Sequence, residues 1–395
     1  MKLNDRLQLI KPSATMAVTE KAAALRAKGV TDLIDFGAGE PDFDTPESIK
    51  NAAEKAMRAG QTKYTPVGGS AALKSAIVAK LKRDNGLDYA NNEVIASCGG
   101  KHALFVAFQA LFGPGDEVIV PAPFWVSYPD MLLLAGARAR IVPTREENDF
   151  KLTPAELEAA FTPQTRAIII NSPSNPAGVA YDESELRALI DVVAKRDCIL
   201  LADDVYEQMV YDPGFKLGQV LRVRPDLRDR TLLLNSVSKT YAMTGWRIGY
   251  TAGPAHVIKA MTTLQGQMTS NPSSIAQAAA VQALAGPQES VPLMMREFGK
   301  RRDFVIERVR KITGVRCPKP QGAFYVFPNM SAYLNRGAGP KNGDELAAYL
   351  IESAHVAVVG GTDFGYPEHI RISYATSMQN LQDGLDRMEA ALRKL

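Results

Sequence analysis

The stretch TLLLNSVSKTYAMTGWRIGYTA at residues 231–252 places two apolar runs around a polar segment. TLLLNS at 231–236 and WRIGYTA at 246–252 have the composition of strands. Lys239 follows the first run and Arg247 lies inside the second, so both basic side chains are close to buried chain. A strand that ends in Ser-x-Ser-Lys is unusual if its role is only structural. The stretch therefore indicates a sheet with a functional site at its edge.

Similar short, β-branched runs recur along the chain. They comprise EVIAS (93–97), EVIV (117–120), ARIV (139–142), RAIIIN (166–171), CILLAD (198–203), TLLLNS (231–236) and WRIGYTA (246–252). Helical patterns such as ESELRALIDVVAKR at 183–196 separate most of them, which is typical of a mostly parallel sheet covered on both faces. The runs are continuously apolar, as expected of strands buried on both sides. We predict an α/β fold with a mostly parallel seven-stranded sheet covered by helices.

The pattern changes after about residue 255. Helical patterns follow, including a long one at 291–312, then three strand candidates (GAFYVFPNM, AHVAVVGG and HIRISYA) and a C-terminal helix. Residues 1–45 have little periodic structure beyond one helical pattern and could pack with this part. We expect a large domain at 46–290 and a smaller α+β domain formed by 1–45 and 291–395.

Composition limits the possible functions. The chain has 395 residues, is 46% hydrophobic and has a net charge of +3, which is too balanced for a nucleic-acid or polybasic membrane surface. No apolar run approaches the length of a membrane span, and the N-terminal stretch lacks the apolar core of a signal peptide, so we expect a cytoplasmic protein. The three cysteines are far apart and the four histidines form no HxxxH pattern, so we expect reduced thiols and no metal site.

Polar residues follow the predicted strands at the position where open α/β sheets bind ligands. Gly99 and Gly100 follow EVIAS and would present bare N–H groups to a phosphate at a helix N-terminus, although a tight strand-to-helix turn would explain them as well. RAIIIN leads into NSPSNPAG at 171–178, where an asparagine could bind a ligand or only cap the turn.

The next two strands end in chemically active side chains. A carboxylate such as Asp203 is costly at the end of a buried strand unless it is paired, although Asp203 or Asp204 could instead cap a following helix. With Tyr206, Ser236 and Lys239, these strand ends offer the groups that one cofactor needs, pyridoxal 5'-phosphate (PLP), which binds to a lysine and has an acidic partner at its pyridine nitrogen. No GxGxxG motif follows a strand, so a nicotinamide cofactor is disfavoured.

The chain resembles the class I aminotransferases of PLP fold-type I, and most closely the bacterial subgroup Iβ of aspartate aminotransferases. The resemblance covers essentially the full length. Its motifs are KPSATMAV (11–18), AGEPDFDTP (38–46), KYTPVGG (63–69), GGKHALF (99–105), PFWVSYP (123–129), NSPSNPAG (171–178), DDVY (203–206), SVSKTYAMTGWRIGY (236–250), GAFYVF (322–327) and HIRISYATS (369–377). The resemblance implies a PLP-dependent aminotransferase that passes through pyridoxamine phosphate and acts on amino acids and 2-oxo acids.

The resemblance also implies roles for residues around the cofactor ring. Lys239 matches the Schiff-base lysine, which moves the proton between the substrate Cα and the cofactor. Asp203 matches the acid that keeps the pyridine nitrogen protonated and so makes the ring an electron sink. Tyr206 and Asn175 match donors to the ring's phenolate oxygen. Trp125 matches the stacking aromatic, although a tryptophan could be plain core. Asn175 and Trp125 are also expected beside the substrate.

At the phosphate end, the matches are the Gly99 and Gly100 backbone, Ser236 and Arg247, whose planar guanidinium suits a dianion. Tyr64 matches a tyrosine that reaches the phosphate of the neighbouring subunit. The resemblance therefore implies a homodimer with shared active sites, in which separated monomers are inactive.

Four further residues match positions that bind the substrate in the family. Arg371 matches the arginine that binds the substrate α-carboxylate, and Gly39 matches a backbone N–H donor to the same group. Lys101, which also borders the cofactor, matches a lysine that serves the distal carboxylate. Lys11 stands at a position associated with dicarboxylic substrates, including prephenate. Each of these basic residues could instead lie on the surface.

Three motifs depart from the family pattern. The family usually has NPTG, DE-x-Y and VVPG, whereas this chain has NPAG, DDVY and VVGG (358–361). These changes affect the expected substrate range more than the reaction type. We expect L-aspartate:2-oxoglutarate transamination by a ping-pong mechanism. The alternatives are a prephenate/glutamate or aromatic aminotransferase, a carbon–sulfur lyase on the same fold, and a non-enzymatic PLP-binding effector domain.

Overall fold

The computed structural model describes residues 1–10, 12, 14–337 and 339–395. Its helices are α1 (Ala14–Ala27), α2 (Glu47–Arg58), α3 (Ala71–Lys80), α4 (Gly100–Leu111), α5 (Ser127–Leu134), α6 (Pro154–Ala160), α7 (Glu183–Ala194), α8 (Val220–Val223), α9 (Ala255–Gly266), α10 (Ser274–Ala285), α11 (Ser290–Lys311), α12 (Gly343–Ser353) and α13 (Met378–Leu392). Its strands are β1 (Ile34–Asp35), β2 (Val94–Ser97), β3 (Glu117–Ala122), β4 (Arg138–Pro143), β5 (Thr165–Asn171), β6 (Ile199–Asp203), β7 (Thr231–Ser236), β8 (Gly249–Ala252), β9 (Tyr325–Val326), β10 (Val356–Ala357), β11 (Val359–Gly360) and β12 (Ile370–Ser373).

The central sheet contains seven strands in the order β2-β8-β7-β6-β5-β3-β4. Neighbours pair in parallel except where β8 meets β2 and β7. Each strand corresponds to one predicted run, so the prediction of a mostly parallel seven-stranded sheet is confirmed. β8 begins only at Gly249, because Thr244–Trp246 form a 3-10 turn and Arg247 has a left-handed backbone with φ 56°.

Both faces of this sheet are buried, as the continuous apolar runs predict. In β5, Ile168 and Ile170 join a hydrophobic cluster with α3, α7 and α10. Ile169 faces the opposite side and packs with α4, α5 and α9. Because successive strand residues point to opposite faces, a strand covered by helices on both sides has to be apolar at every position.

A second, smaller arrangement follows the central sheet. β11, β12 and β9 form an antiparallel sheet, and β1 pairs in parallel with β10, so the N-terminal segment joins the C-terminal part of the chain. A separate hydrophobic cluster is built around Phe298 of α11, Leu350 of α12 and Leu385 of α13. The three strand candidates in this part are present, but each forms strands of only two to four residues.

The register of the central sheet brings the polar strand ends together. Asn171 at the end of β5 pairs with Asp203 at the end of β6, and Asp203 pairs with Leu234 of β7. Within the described residues, no helix is long and apolar enough to cross a membrane, and no cluster of His, Cys, Asp and Glu could hold a metal ion. The three cysteines carry no disulfide.

Candidate active site

A cavity of about 460 Å³ lies at this edge of the central sheet. Most of the residues predicted from the sequence line it: Gly39, Gly100, Lys101, Trp125, Asn175, Asp203, Tyr206, Ser236, Lys239, Arg247 and Arg371. They come from the ends of five central strands (β2, β3, β5, β6 and β7), from the turn before β8, from the N-terminal segment and from β12. The fold therefore brings together side chains that are more than 300 residues apart in sequence.

Lys239 projects a buried amine into the cavity from the turn after β7. Its Nζ donates a hydrogen bond to the carbonyl oxygen of Gly39. Burial lowers the pKa of Lys239 to about 8; the positive charges of Arg371 and Arg247 act in the same direction, and Glu40 opposes them. The uncharged form of this amine, which is a nucleophile and a proton acceptor, is therefore far more populated near neutral pH than that of an ordinary lysine.

Asp203 ends β6 and is only 6% exposed. Burial raises its pKa to about 6, while hydrogen bonds from the Tyr128 hydroxyl and from the Val205 N–H lower it. The Tyr128 hydroxyl donates to Oδ2 at 2.5 Å, and the Asn171 side chain donates to the Asp203 carbonyl at 2.9 Å. This carboxyl group is therefore fixed in place and suited to a cationic N–H partner.

Tyr128 and Asn171 are site residues that the sequence analysis missed. Tyr128 lies in the motif PFWVSYP, in which only Trp125 was assigned a role, and Asn171 lies in NSPSNPAG, in which only Asn175 was. Both line the cavity, and Asn171 also accepts a hydrogen bond from the Asn175 N–H at 3.0 Å. In the sequence, what could have identified Tyr128 and Asn171 as site residues is that both lie within motifs that resemble the family.

Tyr206 connects the two parts of the fold. Its hydroxyl lies 3.1 Å from the hydroxyl of Tyr325 on β9, another residue that the sequence analysis missed. Burial raises the pKa of Tyr206 well above its usual range, so the hydroxyl stays protonated and can donate a hydrogen bond. Tyr206 therefore presents a donor to the cavity from the same turn as Asp203.

An anion cradle lies at the start of α4. Gly99 caps this helix with a φ of 94°, and a Cβ at Gly99 would overlap the Arg247 guanidinium. A Cβ at Gly100 would lie 3.4 Å from the Ser236 Cβ. The free N–H groups of a helix N-terminus, a hydroxyl and a guanidinium therefore approach one another closely, an arrangement that favours a phosphate dianion.

Arg371 lies in β12 and is only 1% exposed. Its Nη1 donates to Asn175 Oδ1 at 3.1 Å, its Nη2 donates to the Gly37 carbonyl at 2.8 Å, and its guanidinium lies 4.5 Å from the centre of the Tyr325 ring. The Nε group is buried and has no hydrogen-bond partner among the described residues. An unsatisfied donor on a buried cation is suited to a carboxylate ligand.

The remaining predicted residues occupy varied positions. Lys101 Nζ lies 5.2 Å from the centre of the Trp125 ring, and burial lowers the pKa of Lys101, with Arg247 acting in the same direction. Gly39 contacts Lys239 through its carbonyl oxygen, and the N–H contact predicted for it stays a prediction. Tyr64 is 92% exposed and does not line this cavity, whereas Lys11 lies outside the described residues.

The combination of a large α/β sheet, a smaller appended sheet and a buried lysine at their junction defines a protein class. The family model of the class I and II aminotransferases matches residues 31–388. The chain therefore belongs to the class I and II aminotransferases, as the motifs predicted.

Close relatives support this membership. An aspartate aminotransferase from Geobacillus stearothermophilus is 49% identical, with 98% of each chain covered. An aspartate/prephenate aminotransferase from Cereibacter sphaeroides is 50% identical, again with 98% of each chain covered. The structure of the Thermus thermophilus aspartate aminotransferase with maleate has a TM-score of 0.92 and 43% identity, covering 99% of this chain and 100% of the other. The predicted fold-type I architecture is thereby confirmed.

Proposed function

We propose that this chain transfers the amino group of L-aspartate to 2-oxoglutarate by a ping-pong mechanism, with PLP as its cofactor. The observation that carries the proposal is the buried amine of Lys239, whose pKa burial lowers to about 8, in a cavity that also presents Asp203 and Arg371. The names of the relatives favour aspartate as the amino donor.

The residues present fit PLP at three points. The cradle of Gly99, Gly100, Ser236 and Arg247 suits the phosphate, since a side chain at Gly99 would fill it. Asp203 is a buried carboxyl group against which the described part of the chain places no cationic side chain, and this suits a pyridinium N–H. The Lys239 amine suits the aldehyde. Of these groups, Lys239 is the one that would hold the cofactor covalently.

When bound, PLP supplies an electron sink that accepts the negative charge developing at the substrate Cα. The protein supplies the proton transfer. Lys239 Nζ, when not bonded to the cofactor, would take the proton from Cα as a general base, and its pKa of about 8 suits that role near neutral pH. Asp203, held by Tyr128, would pair its carboxylate with the pyridine nitrogen. Tyr206 would donate a hydrogen bond to the ring oxygen.

Two basic residues would orient the substrate. Arg371 binds the α-carboxylate, since its unsatisfied Nε and the fixed guanidinium plane provide a rigid fork. Lys101, whose Nζ lies 5.2 Å from the centre of the Trp125 ring, would bind the β-carboxylate. With both carboxylates held, the substrate would be fixed in one orientation relative to Lys239, and the reaction would gain from this orientation.

Prephenate is a second candidate amino acceptor. The Cereibacter sphaeroides relative, named an aspartate/prephenate aminotransferase, favours it. Like 2-oxoglutarate, prephenate carries a 2-oxo acid and a second carboxylate, so Arg371 and Lys101 could bind both acceptors. Comparing the two acceptors at equal concentration, with L-aspartate as donor, distinguishes them.

We propose that the active unit is a homodimer with shared sites. Tyr64 is almost fully exposed, as is expected of a side chain that serves a neighbouring subunit.

A single-turnover experiment tests the reaction. The purified protein is reconstituted with PLP and mixed with L-aspartate in the absence of any 2-oxo acid, and oxaloacetate is measured. We expect one equivalent of oxaloacetate per bound PLP, and continued turnover only after 2-oxoglutarate is added. Lys239→Ala should give none in either phase.

Two results would contradict the proposal. Release of ammonia in place of stoichiometric amino transfer would indicate a lyase. Binding of PLP without reaction toward aspartate, glutamate, aromatic amino acids or prephenate would indicate a PLP-binding effector domain.

A further inference from the structure

A buried charged cluster lies directly behind the cavity, around Glu207. We define the Glu207 cluster as Lys80, Asn85, Glu207, Gln219 and Asn235. Lys80 is 2% exposed and Glu207 is 8% exposed. Glu207 follows Tyr206 in sequence and belongs to the same turn as Asp203. Among the described residues, the cavity wall includes Asn235 but not Glu207 or Lys80.

Glu207 accepts hydrogen bonds on both of its carboxylate oxygens. Oε1 accepts from Lys80 Nζ and from Asn235 Nδ2, the latter at 2.7 Å. Oε2 accepts from Asn85 Nδ2 at 2.5 Å and from Gln219 Nε2 at 2.8 Å. Lys80 Nζ also donates to Asn85 Oδ1 at 2.9 Å. One carboxylate thus binds four side-chain donors.

These donors come from separate segments of the chain. Lys80 ends α3, Asn85 ends the turn that follows α3, Gln219 precedes α8, and Asn235 is the penultimate residue of β7. Glu207 therefore ties the turn after β6 to three other parts of the fold.

Stability alone does not require such a cluster. A buried ion pair loses hydration of both charges, and well-packed apolar side chains of similar volume often stabilise a fold equally well. Charged hydrogen bonds do fix geometry, because each oxygen is bound to its donors in defined directions. The placement of the cluster therefore indicates a role in positioning.

The Glu207 cluster connects to the cavity by two routes. Asn235 Oδ1 accepts a hydrogen bond from the Ser236 N–H at 2.7 Å. This bond holds the backbone at Ser236, where the turn that carries Lys239 begins. In the main chain, the Glu207 N–H donates to the Asp204 carbonyl at 3.0 Å, and the Asp204 N–H donates to the Leu234 carbonyl at 2.9 Å. A shift of Glu207 would therefore displace both Asn235 and the main chain at Asp204.

We propose that Glu207, neutralised by Lys80, is a positioning residue that sets the distance between the turn carrying Asp203 and Tyr206 and the turn carrying Ser236 and Lys239. The two turns hold opposite ends of the cofactor in the proposed function, on which this inference rests. The Glu207 cluster itself contacts neither substrate nor reacting atoms and acts through Asn235 and the main chain.

Glu207→Gln tests the proposal against a matched control. The amide replaces one accepting oxygen with an N–H₂ group, which faces donors and cannot bind them. Asp212→Asn makes the same change at a second buried cation, because Arg302 is 2% exposed and donates to Asp212 at 2.6 and 2.9 Å, away from the cavity. Both variants should lower the thermal midpoint.

Three further readouts separate positioning from stability. They are the Kd for PLP of the cofactor-free protein, amide hydrogen exchange in segments 203–207 and 234–239, and kcat and KM for L-aspartate. In Glu207→Gln we expect PLP affinity and kcat to fall by about tenfold to a hundredfold, KM to change little, and both segments to exchange faster. In Asp212→Asn these three readouts should match the wild type.

A second variant covers the case in which Glu207→Gln does not fold. Lys80→Met with Glu207→Gln removes both charges of this pair at once, while Asp84, which lies 3.7 Å from Lys80 Nζ, keeps its ion pair with Arg83. We expect this double variant to fold and still to show faster exchange in both segments and weaker PLP binding. Wild-type exchange, PLP affinity and kcat in whichever of these variants folds would overturn the proposal. Failure of the wild type to bind PLP would instead refute the proposed function, and the exchange comparison would still decide the role of the cluster.

Discussion

At the scale of single residues, the protonation state of Lys239 controls whether the cavity can bind an aldehyde. Only the uncharged amine attacks a carbonyl group. Because burial lowers the pKa of Lys239 to about 8, the uncharged fraction grows as pH rises toward that value and is nearly complete above it. We therefore expect the rate of covalent PLP capture by the cofactor-free protein to rise about tenfold per pH unit below about 8 and to level off above it.

Absorbance stopped-flow measurements from neutral to alkaline pH check this dependence. The same series with Nα-acetyl-lysine corrects for the titration of PLP itself. A midpoint near that of an ordinary lysine would mean that the Lys239 amine is solvated in solution.

Tyr128 should control the charge on Asp203. Tyr128→Phe removes the hydrogen bond to Oδ2 and, with it, an interaction that lowers the pKa of Asp203. The pKa of Asp203 then rises further, so a larger share of the carboxyl is neutral near pH 7. We expect kcat to fall about tenfold and the acidic limb of the pH–rate profile to move to higher pH, with a stability loss of about 1–2 kcal/mol.

Tyr333→Phe is the matched control for Tyr128→Phe. Tyr333 is buried and donates to the Thr313 carbonyl at 2.8 Å, away from the cavity. It should lose a similar amount of stability with an unchanged pH–rate profile. An unchanged profile in Tyr128→Phe as well would remove Tyr128 from the positioning of Asp203.

Lys101 should affect dicarboxylic substrates selectively. Lys101→Ala removes the cation beside Trp125 and leaves the Arg371 site intact. We expect KM for L-aspartate to rise by roughly tenfold or more while KM for L-alanine changes little, because only aspartate has a second carboxylate. Steady-state kinetics with both donors measure this, and equal changes would place Lys101 outside the substrate site.

At the scale of secondary-structure elements, the start of α4 should depend on Gly99. Gly99→Ala adds a Cβ that overlaps Arg247 and also strains a backbone with φ 94°. We expect PLP affinity to fall at least about tenfold and stability to fall by about 1–2 kcal/mol.

Gly115→Ala separates these two effects. Gly115 has the same φ of 94°, but a Cβ there would meet nothing within 4 Å. It should show the loss of stability and keep wild-type affinity for PLP in an absorbance titration. Equal PLP affinities in the two variants would show that the Arg247 contact is not needed for the phosphate.

The central strands were predictable because burial on both faces leaves a continuous apolar signal, as in β5. Strand ends were less predictable. WRIGYTA has strand composition throughout, but β8 begins only at Gly249 because Arg247 has a left-handed backbone conformation. Phe324 and Phe327 flank β9 and are buried, yet only two residues between them pair as a strand. Backbone pairing depends on partners distant in sequence, which composition does not specify.

The same reason explains which site residues the sequence analysis missed. Tyr128 is 75 residues from Asp203 and Tyr325 is 119 residues from Tyr206, so each contact exists only in the folded chain. Lys239 and Arg371 were found because each lies within a recognisable motif. Asn235 and Glu207 lie beside such motifs, but their hydrogen bonds behind the cavity leave no local pattern.

At the scale of the whole molecule, we propose that residues 46–290 form one domain and that 1–45 and 291–395 form the other. The pairing of β1 with β10 and the separate hydrophobic cluster around α11, α12 and α13 support this division. Arg371 belongs to the second part and Lys239 to the first. The proposed site therefore lies where the two parts meet, and relative motion between them would open or close it.

The shared site of the proposed homodimer can be tested by complementation. Tyr64→Phe should lower activity by roughly tenfold, since a hydroxyl donor to a phosphate dianion is lost. Lys239→Ala should be inactive. If Tyr64 serves the neighbouring subunit, a hybrid dimer of the two variants has one intact site, which combines Lys239 of the Tyr64→Phe chain with Tyr64 of the Lys239→Ala chain.

Activity after the two variants are unfolded together and refolded, or after they are coexpressed, measures this effect. We expect activity per Tyr64→Phe chain to rise well above that of the Tyr64→Phe homodimer. The control pairs Lys239→Ala with a chain carrying both substitutions, and it should stay inactive because no subunit has the lysine. If Tyr64 instead acted within its own chain, every subunit of the mixture would lack one of the two groups. Mixing would then restore nothing, and the exposed position of Tyr64 would need another explanation.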